Sequence, residues 1–341
     1  MLSVEETELK TQPKETFDTP LVSVYMTTYN QENYIAQAIE SIVMQKCNFN
    51  FELVIGEDCS TDNTRSIVKK YAEMYPDIIK TILHEKNVGG KQNGRAVFTM
   101  CSGKYLAFCE GDDFWVSPYK LQKQVDLIES DENIKAVFTQ VKWVDRDNNE
   151  LGFSDNSDNK TGRLDYKKLL QVNPIHTCAF LLDQSVYTDA ILQIRKKAPY
   201  GDYVMFLAAS FYGKVAFIDE VMAAYRRDVG VMHKWSAIES GLKRLQIFDL
   251  FQEQTEFKKM NFYIKIAKQY LCIHMSRHYS DEKNYIESIK YYLLALYYTG
   301  YVLLAKKDEM HRKVSVSEFI KTGIFSFPYV KVIYRKIKRI S

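Results

Sequence analysis

Apolar runs and helix-patterned stretches alternate from Leu21 to Ile128, and this alternation constrains the fold more than any other feature. Leu21–Met26, Phe51–Ile55, Ile78–Leu83 and Tyr105–Cys109 are short apolar runs of strand type. Between them, Asn33–Gln45 places Ile35, Ile39, Ile42 and Val43 at helical spacing. Thr64–Tyr75 does the same with Ile67, Val68, Tyr71, Met74 and Tyr75, and Pro76 ends it. Gly90–Cys101 reads as a third helix. Ser117-Pro118 starts a fourth, with Leu121, Val125 and Ile128 as its buried face. Strands joined by crossover helices predict an α/β fold with a mostly parallel central sheet covered on both faces. Ligands of such sheets bind at the carboxyl ends of the strands. The segments to inspect are therefore Thr27–Asn30, Gly56–Thr64 and Glu110–Trp115.

The 341 residues are 46% hydrophobic and 26% charged, a globular composition that excludes a wholly disordered chain and a polytopic membrane protein. Residues 1–20 read as a polar, mobile tail without the character of a signal peptide. Beyond residue 235 the strand pattern stops and helical patterns rich in Tyr, Leu and Ile take over. The expected division is a tail (1–20), an α/β catalytic domain (21–235) and a helical region (236–341) able to form a homodimer. The apolar run Tyr291–Ala305 is short for a membrane span and reads as a buried helix. Six cysteines without a C-x-x-C pair read as free thiols of a reducing, cytoplasmic compartment.

Net charge is +3, which gives no reason to expect nucleic acid. Residues 301–341 alone carry +7, leaving −4 on the rest. The final SFPYVKVIYRKIKRIS interleaves Tyr, Val and Ile with Lys and Arg. Such a segment favours peripheral contact with an anionic membrane, here the inner face of the plasma membrane.

Two acidic clusters follow strands. Gly56-Glu57-Asp58-Cys59-Ser60-Thr61-Asp62-Asn63-Thr64 holds three carboxylates where a strand passes into a helix. Asp62 or Thr61 suits a helix cap, but capping does not account for Glu57 and Asp58. An EF-hand is excluded, since the sixth position from Asp58 is Asn63 and the twelfth is Lys69. In Glu110-Gly111-Asp112-Asp113, like charges raise each other's pKa unless water or a cation compensates them. Oxygen-only ligands select a hard cation, Mg²⁺ or Mn²⁺, which takes one or two carboxylates plus substrate phosphates. No Gly-rich phosphate loop of P-loop or dinucleotide type is present.

These clusters belong to a larger set: VSVYMTTYNQENYIAQAIESI, ELVIGEDCSTDNT, NVGGKQNGRA, GKYLAFCEGDDFW and PYGDYVMFLAAS. In this order, over about residues 21–235, they resemble family 2 glycosyltransferases of the GT-A fold. The resemblance implies metal-dependent, inverting transfer of a sugar from a nucleotide diphosphate, by family habit a UDP-sugar. The acceptor would be a glycan or lipid-linked saccharide of surface polysaccharide biosynthesis. It further implies that Thr27, Tyr29 and Asp58 face the nucleoside. Glu110, Asp112 and Asp113 stand at the D-x-D-D motif, which meets ribose and metal, with Glu110 and Asp112 toward the nucleotide and Asp112 and Asp113 toward the metal. Asp202 stands at the general base, and its alternative reading is a helix cap. His233 is a candidate metal ligand. Arg95, Arg226, His176 and Trp235 are candidates for the diphosphate or the acceptor. Asn93 and Gly94 stand where the family usually has Arg-Asn. Two other readings compete: a sugar nucleotidyltransferase, disfavoured because TTYNQEN lacks glycine and lysine, and a degenerate sugar-binding or membrane-docking module.

Overall fold

The structure, a computed structural model, describes residues 19–154, 164–227, 229 and 235–305, with side chains through residue 299. His233 and the basic tail lie outside the described residues. The strands are β1 (Val22–Thr28), β2 (Phe51–Glu57), β3 (Ile79–Leu83), β4 (Tyr105–Phe108) and β5 (Phe114–Trp115). They continue as β6 (Ile134–Val144), β7 (Glu150–Phe153), β8 (Phe180–Asp183) and β9 (Lys214–Arg226). The early helices are α1 (Ile35–Val43), α2 (Thr64–Met74), α3 (Gly90–Met100), α4 (Lys120–Glu129) and α5 (Tyr166–Gln171). The later ones are α6 (Asp189–Lys197), α7 (Asp202–Tyr212), α8 (Ala237–Glu253), α9 (Asn261–Asp281) and α10 (Tyr285–Ala305).

The strands form one sheet of order β3-β2-β1-β4-β8-β6-β9-β5, with β7 hairpinned onto β6. It is parallel from β3 to β4, as the alternation predicts. Beyond β4 it turns mixed: β8 runs antiparallel to both β4 and β6, and β5 antiparallel to β9. Parallel pairing returns between the long strands β6 and β9, so the antiparallel contacts are those of β8, β5 and β7. Its strands have both faces buried, so they read as unbroken apolar runs. Val22, Val24 and Met26 pack with Ile35, Ile39, Ile42 and Val68 of α1 and α2, and with Leu121 and Val125 of α4. Leu106 and Phe108 face the opposite side, toward α6 and α7. Each fully buried side chain of this size contributes about 1.5–3 kcal/mol.

β9 is 13 residues long and pairs with β6 on one side and β5 on the other. Its extension carries Arg226 to the sheet's far corner. α8 and the start of α9 share a core with α7 through Ile247, Phe248, Phe251, Met260 and Ile264. α10 is only half buried. Tyr291 and Ala295 pack toward α9, whereas Ile286 is 81% and Leu293 58% exposed. Among the described residues no helix is long and apolar enough to cross a membrane. All six cysteines are unpaired.

Candidate active site

Three loops meet at the carboxyl end of the parallel strands, stapled by their backbones. The Asp58 amide donates to the Thr28 carbonyl (3.1 Å) and the Gly111 amide to the Thr27 carbonyl (3.2 Å). The loop after β1 clasps the loop after β2. Asn30 Oδ1 accepts from the Thr61 amide (2.8 Å), the Gln31 amide donates to Thr64 Oγ1 (2.7 Å), and Glu32 Oε2 accepts from the Asn63 amide (2.9 Å). Asn30 and Cys59 both take left-handed φ values, 52° and 57°, at the tips of this clasp. Thr27 is half-buried, and Tyr29 presents 43% of its surface beside it.

The three carboxylates after β2 have separate local duties. Glu57 is fully buried, pairs with Arg65 and accepts from the Ser60 amide (2.6 Å). Asp62 accepts the Thr64 amide (2.9 Å) from one residue ahead of the α2 N-cap, Asn63, which has no side-chain cap bond of its own. Asp58 departs from expectation. Its two oxygens accept the Val88 (2.7 Å) and Gly89 (2.9 Å) amides, and it is 2% exposed. Gly89 reaches the φ of 83° that aims these amides because it has no β-carbon. Asp58 therefore holds the loop leading into α3 rather than presenting a bare carboxylate to the nucleoside.

The acidic loop lies between β4 and β5. Trp115, 1% exposed, anchors its exit by donating Nε1–H to the Cys178 carbonyl (2.8 Å). Asp112 and Asp113 are buried, at 9% and 4% exposure. Asp113 Oδ1 accepts the Arg226 amide at 2.8 Å. Burial, then the charges of Asp112 and Glu110, push the Asp113 carboxyl well above the usual range. Burial, then Asp112 and Asp202, push Glu110 up to about 8. A cluster whose proton affinity is raised this way gains from a cation, and its donor set is oxygen only. Asp112 and Asp113 thus fit a hard divalent ion that completes its shell with substrate oxygens. Among the described residues no third carboxylate, His or Cys joins them as a ligand group.

Arg226 corrects the expectation of a diphosphate contact. It is 1% exposed, and its five N–H groups are all engaged. Nε donates to the Asp112 carbonyl (2.9 Å), and Nη1 to the carbonyls of Asp145 (2.8 Å) and Arg146 (3.4 Å). Nη2 donates to Gln37 Oε1 (3.1 Å) and Asn148 Oδ1 (2.9 Å). Tyr34 (4.4 Å) and Phe114 (5.6 Å) bring their rings against the guanidinium. No donor remains for a phosphate; Arg226 instead braces the acidic loop from behind. Arg95 is exposed on α3. Asn93 and Val97 face the sheet, and Arg95, two residues from either, points outward. It lines an outer groove with Ile82, Gln92 and Met100.

His176 is held by protein partners. Its Nε2 accepts from Trp143 Nε1 (3.2 Å), and its other ring N–H donates to the Pro174 carbonyl. Burial lowers its pKa to about 4, so the ring is neutral and both nitrogens are occupied by protein rather than an acceptor. Asp202 opens α7, half-buried, and its Oδ1 accepts the Tyr203 amide at 2.6 Å. The N-cap of α7 is Gly201, so this bond from the next amide is not a cap; Thr177 also reaches the carboxylate, and Glu110 feels its charge. Burial raises the Asp202 pKa above the ordinary carboxylate value. Trp235 packs on Tyr200 at 5.6 Å, two residues from Asp202. The structure thus gathers Thr27, Tyr29, Glu110, Asp112, Asp113 and Asp202 around one end of the sheet, with Tyr200 and Trp235 at its rim.

Residues 23–189 match the model of glycosyl transferase family 2. The chain carries a family 2 glycosyltransferase domain. A Haemophilus influenzae protein named an uncharacterized glycosyltransferase is 30% identical over 218 residues, 61% of this chain and 65% of its own. An uncharacterized Mycobacterium bovis protein is 30% identical over 222 residues, 62% of this chain and 60% of its own. The chain thus spans about two thirds or less of these relatives. Among solved structures, Staphylococcus aureus TarS 1–349 in complex with UDP-GlcNAc aligns with TM-score 0.54 at 17% identity, over 82% of this chain and 92% of TarS 1–349. The Pyrobaculum calidifontis mannosyltransferase PcManGT, in complex with GDP-Man and Mn²⁺, aligns with TM-score 0.56 at 18% identity, covering 87% and 84%. At these identities the likeness shows the fold, which is GT-A. In this glycosyltransferase domain, sequence reasoning missed Gln37, Tyr34 and Asn148 around Arg226. They lie on α1 and the β6–β7 turn, far from Arg226 along the chain, and no motif marks them.

Proposed function

We propose that the chain is an inverting glycosyltransferase that moves a sugar from a nucleoside diphosphate, UDP before GDP, to a hydroxyl of a glycan or lipid-linked saccharide. The observation that carries this reading is the placement of Asp202, on a separate helix, within electrostatic reach of Glu110 in the acidic loop. A base and a leaving-group site facing one another are what a single displacement needs. Thr27 and Tyr29 line the nucleoside side, with the exposed Tyr29 ring available for stacking. Asp58 keeps the loop before α3 in place for the nucleotide. Asp112 and Asp113 would hold Mg²⁺ or Mn²⁺, which stabilises negative charge on a departing diphosphate. Asp202 accepts the proton of the acceptor hydroxyl as that oxygen attacks the anomeric carbon opposite the diphosphate. The sugar's configuration inverts because one bond forms as the other breaks. Tyr200 and Trp235 offer apolar ring faces to an acceptor sugar at the rim.

Asp112→Ala together with Asp113→Ala is expected to abolish Mn²⁺-dependent binding of UDP or GDP in calorimetry, while metal-free affinity stays within about threefold. Unchanged metal-dependent affinity would remove the metal from the reading.

Peripheral membrane contact belongs to the same proposal. The +7 of residues 301–341 follows directly on α10, whose Ile286, Ile289, Leu293 and Tyr297 are 54–81% exposed. Apolar side chains beside a basic segment favour an anionic lipid surface. The full chain should pellet with phosphatidylglycerol vesicles and not with phosphatidylcholine vesicles. Removal of residues 321–341 should reduce pelleting severalfold at physiological salt; equal pelleting discards the lipid contact.

A further inference from the structure

One polar cluster beside the site has no duty in the account above. Arg195 closes the last turn of α6, half-buried. Its guanidinium lies over the rings of Phe98 (4.7 Å) and Tyr187 (4.9 Å). Those two rings join α3 to the segment before α6, 4.6 Å apart. Among the described residues this guanidinium has no hydrogen bond and no ion pair, in contrast to Arg226 with all five N–H groups taken. It faces the start of α7: a β-carbon on Gly201 would stand 3.5 Å from Arg195 Nε and 3.7 Å from Nη2. Asp202 is the next residue.

Tyr25 meets the same space from β1. Its side chain crosses α3 at Gly94, where a β-carbon would stand 2.2 Å from Tyr25 Oη. Glycine at this position is what admits the phenol. Tyr25 Oη likewise has no hydrogen bond among the described residues, and Arg195 and Glu110 are the charges acting on it. Lys91 Nζ ties the first turn of α3 to the Ala198 carbonyl (3.1 Å), fastening α3 to the segment that leads into α7. Arg195 and Tyr25 thus lie among β1, α3, α6 and the start of α7, with Glu110 acting on Tyr25 and Asp202 following Gly201 in the chain. Half-buried donors without protein acceptors are free to exchange water for the oxygens of a ligand. The two rings against Arg195 orient its planar fork, which suits a pair of adjacent oxygens.

We propose that Arg195 and Tyr25 form the floor on which the transferred sugar rests and that they select the donor sugar. Arg195 donates to two neighbouring sugar oxygens, either vicinal hydroxyls or a C6 carboxylate, and Tyr25 Oη donates to a third. This rests on the transferase reading and adds a specificity site to it.

The test is calorimetry with Mn²⁺ on wild type, Arg195→Met and Tyr25→Phe. The probes are UDP, UDP-glucose, UDP-galactose, UDP-N-acetylglucosamine, UDP-glucuronate, GDP and GDP-mannose. Methionine keeps an unbranched apolar stem between Phe98 and Tyr187, so folding is preserved, and an unchanged melting temperature verifies it. The expected result is nucleoside diphosphate affinity within about twofold of wild type, with the best nucleotide sugar weakened by tenfold or more in Arg195→Met. Preference among the sugars should narrow by a similar factor. A loss confined to UDP-glucuronate assigns the carboxylate; a loss on the neutral sugars assigns the hydroxyl pair. Equal weakening of nucleotide and nucleotide sugar, or no change in either, overturns the proposal and leaves Arg195 a packing residue. Wild type that binds neither UDP nor GDP overturns the transferase reading itself, a separate outcome.

Discussion

Transfer by Asp202→Asn is expected to fall about a thousandfold, with nucleotide affinity unchanged within about twofold. Asparagine keeps the size of the side chain and the oxygen that accepts the Tyr203 amide, so α7 should start as before. What it removes is the capacity to take a proton. A residue that only caps a helix would give the opposite pattern, with near wild-type turnover and a small change in melting temperature. Wild-type turnover in this variant would sink the assignment. The pH profile adds a second check. Burial raises the Asp202 pKa, so protonation begins at a higher pH than for an exposed carboxylate. The base is lost as pH falls through that raised value. The acid limb of kcat should therefore lie above the ordinary aspartate pKa of about 4, and asparagine should abolish it.

Arg226→Met should destabilise the fold by about 3–5 kcal/mol, a drop of roughly 10 °C in melting temperature, and should also weaken metal-dependent nucleotide binding. Methionine fills part of the volume and leaves the carbonyls of Asp112, Asp145 and Arg146 without their donor. Gln37 and Asn148 lose theirs as well. The backbone bond from the Arg226 amide to Asp113 survives, so β9 still reaches the acidic loop. The loop then lacks only its rear brace. A direct phosphate ligand would behave differently: its removal would weaken nucleotide binding at nearly unchanged melting temperature. Thermal melts paired with calorimetry separate the two.

The legible part of this protein was the part whose signals are local. The boundaries of α1, α2, α3 and β1 to β4 follow from periodicity, because both faces of those strands are buried and the helices between them are amphipathic. The acidic loop after β4 was legible for the same reason: a charge cluster at the end of an apolar strand has few structural explanations. β6 and the long β9 were not, since their pairing partners are distant in sequence and their inward and outward positions do not alternate cleanly. The roles of arginine and histidine were the least legible. Arg226 and His176 looked like ligand contacts because their motif neighbours are. Their donors and acceptors are instead taken up by residues from α1, the β6–β7 turn and Trp143.

By itself, the sequence determined the α/β class, the strand ends where chemistry sits and the acidic and basic side chains available for it. These follow from short-range patterning, which depends on residues within a turn or a strand of one another. Only the tertiary structure decided which charges remain open to a ligand. Arg226 and Asp58 are consumed by groups that arrive from distant segments, whereas Arg195 has no hydrogen bond among the described residues. A charged group's availability depends on the partners packed around it, and those are set by the three-dimensional fold.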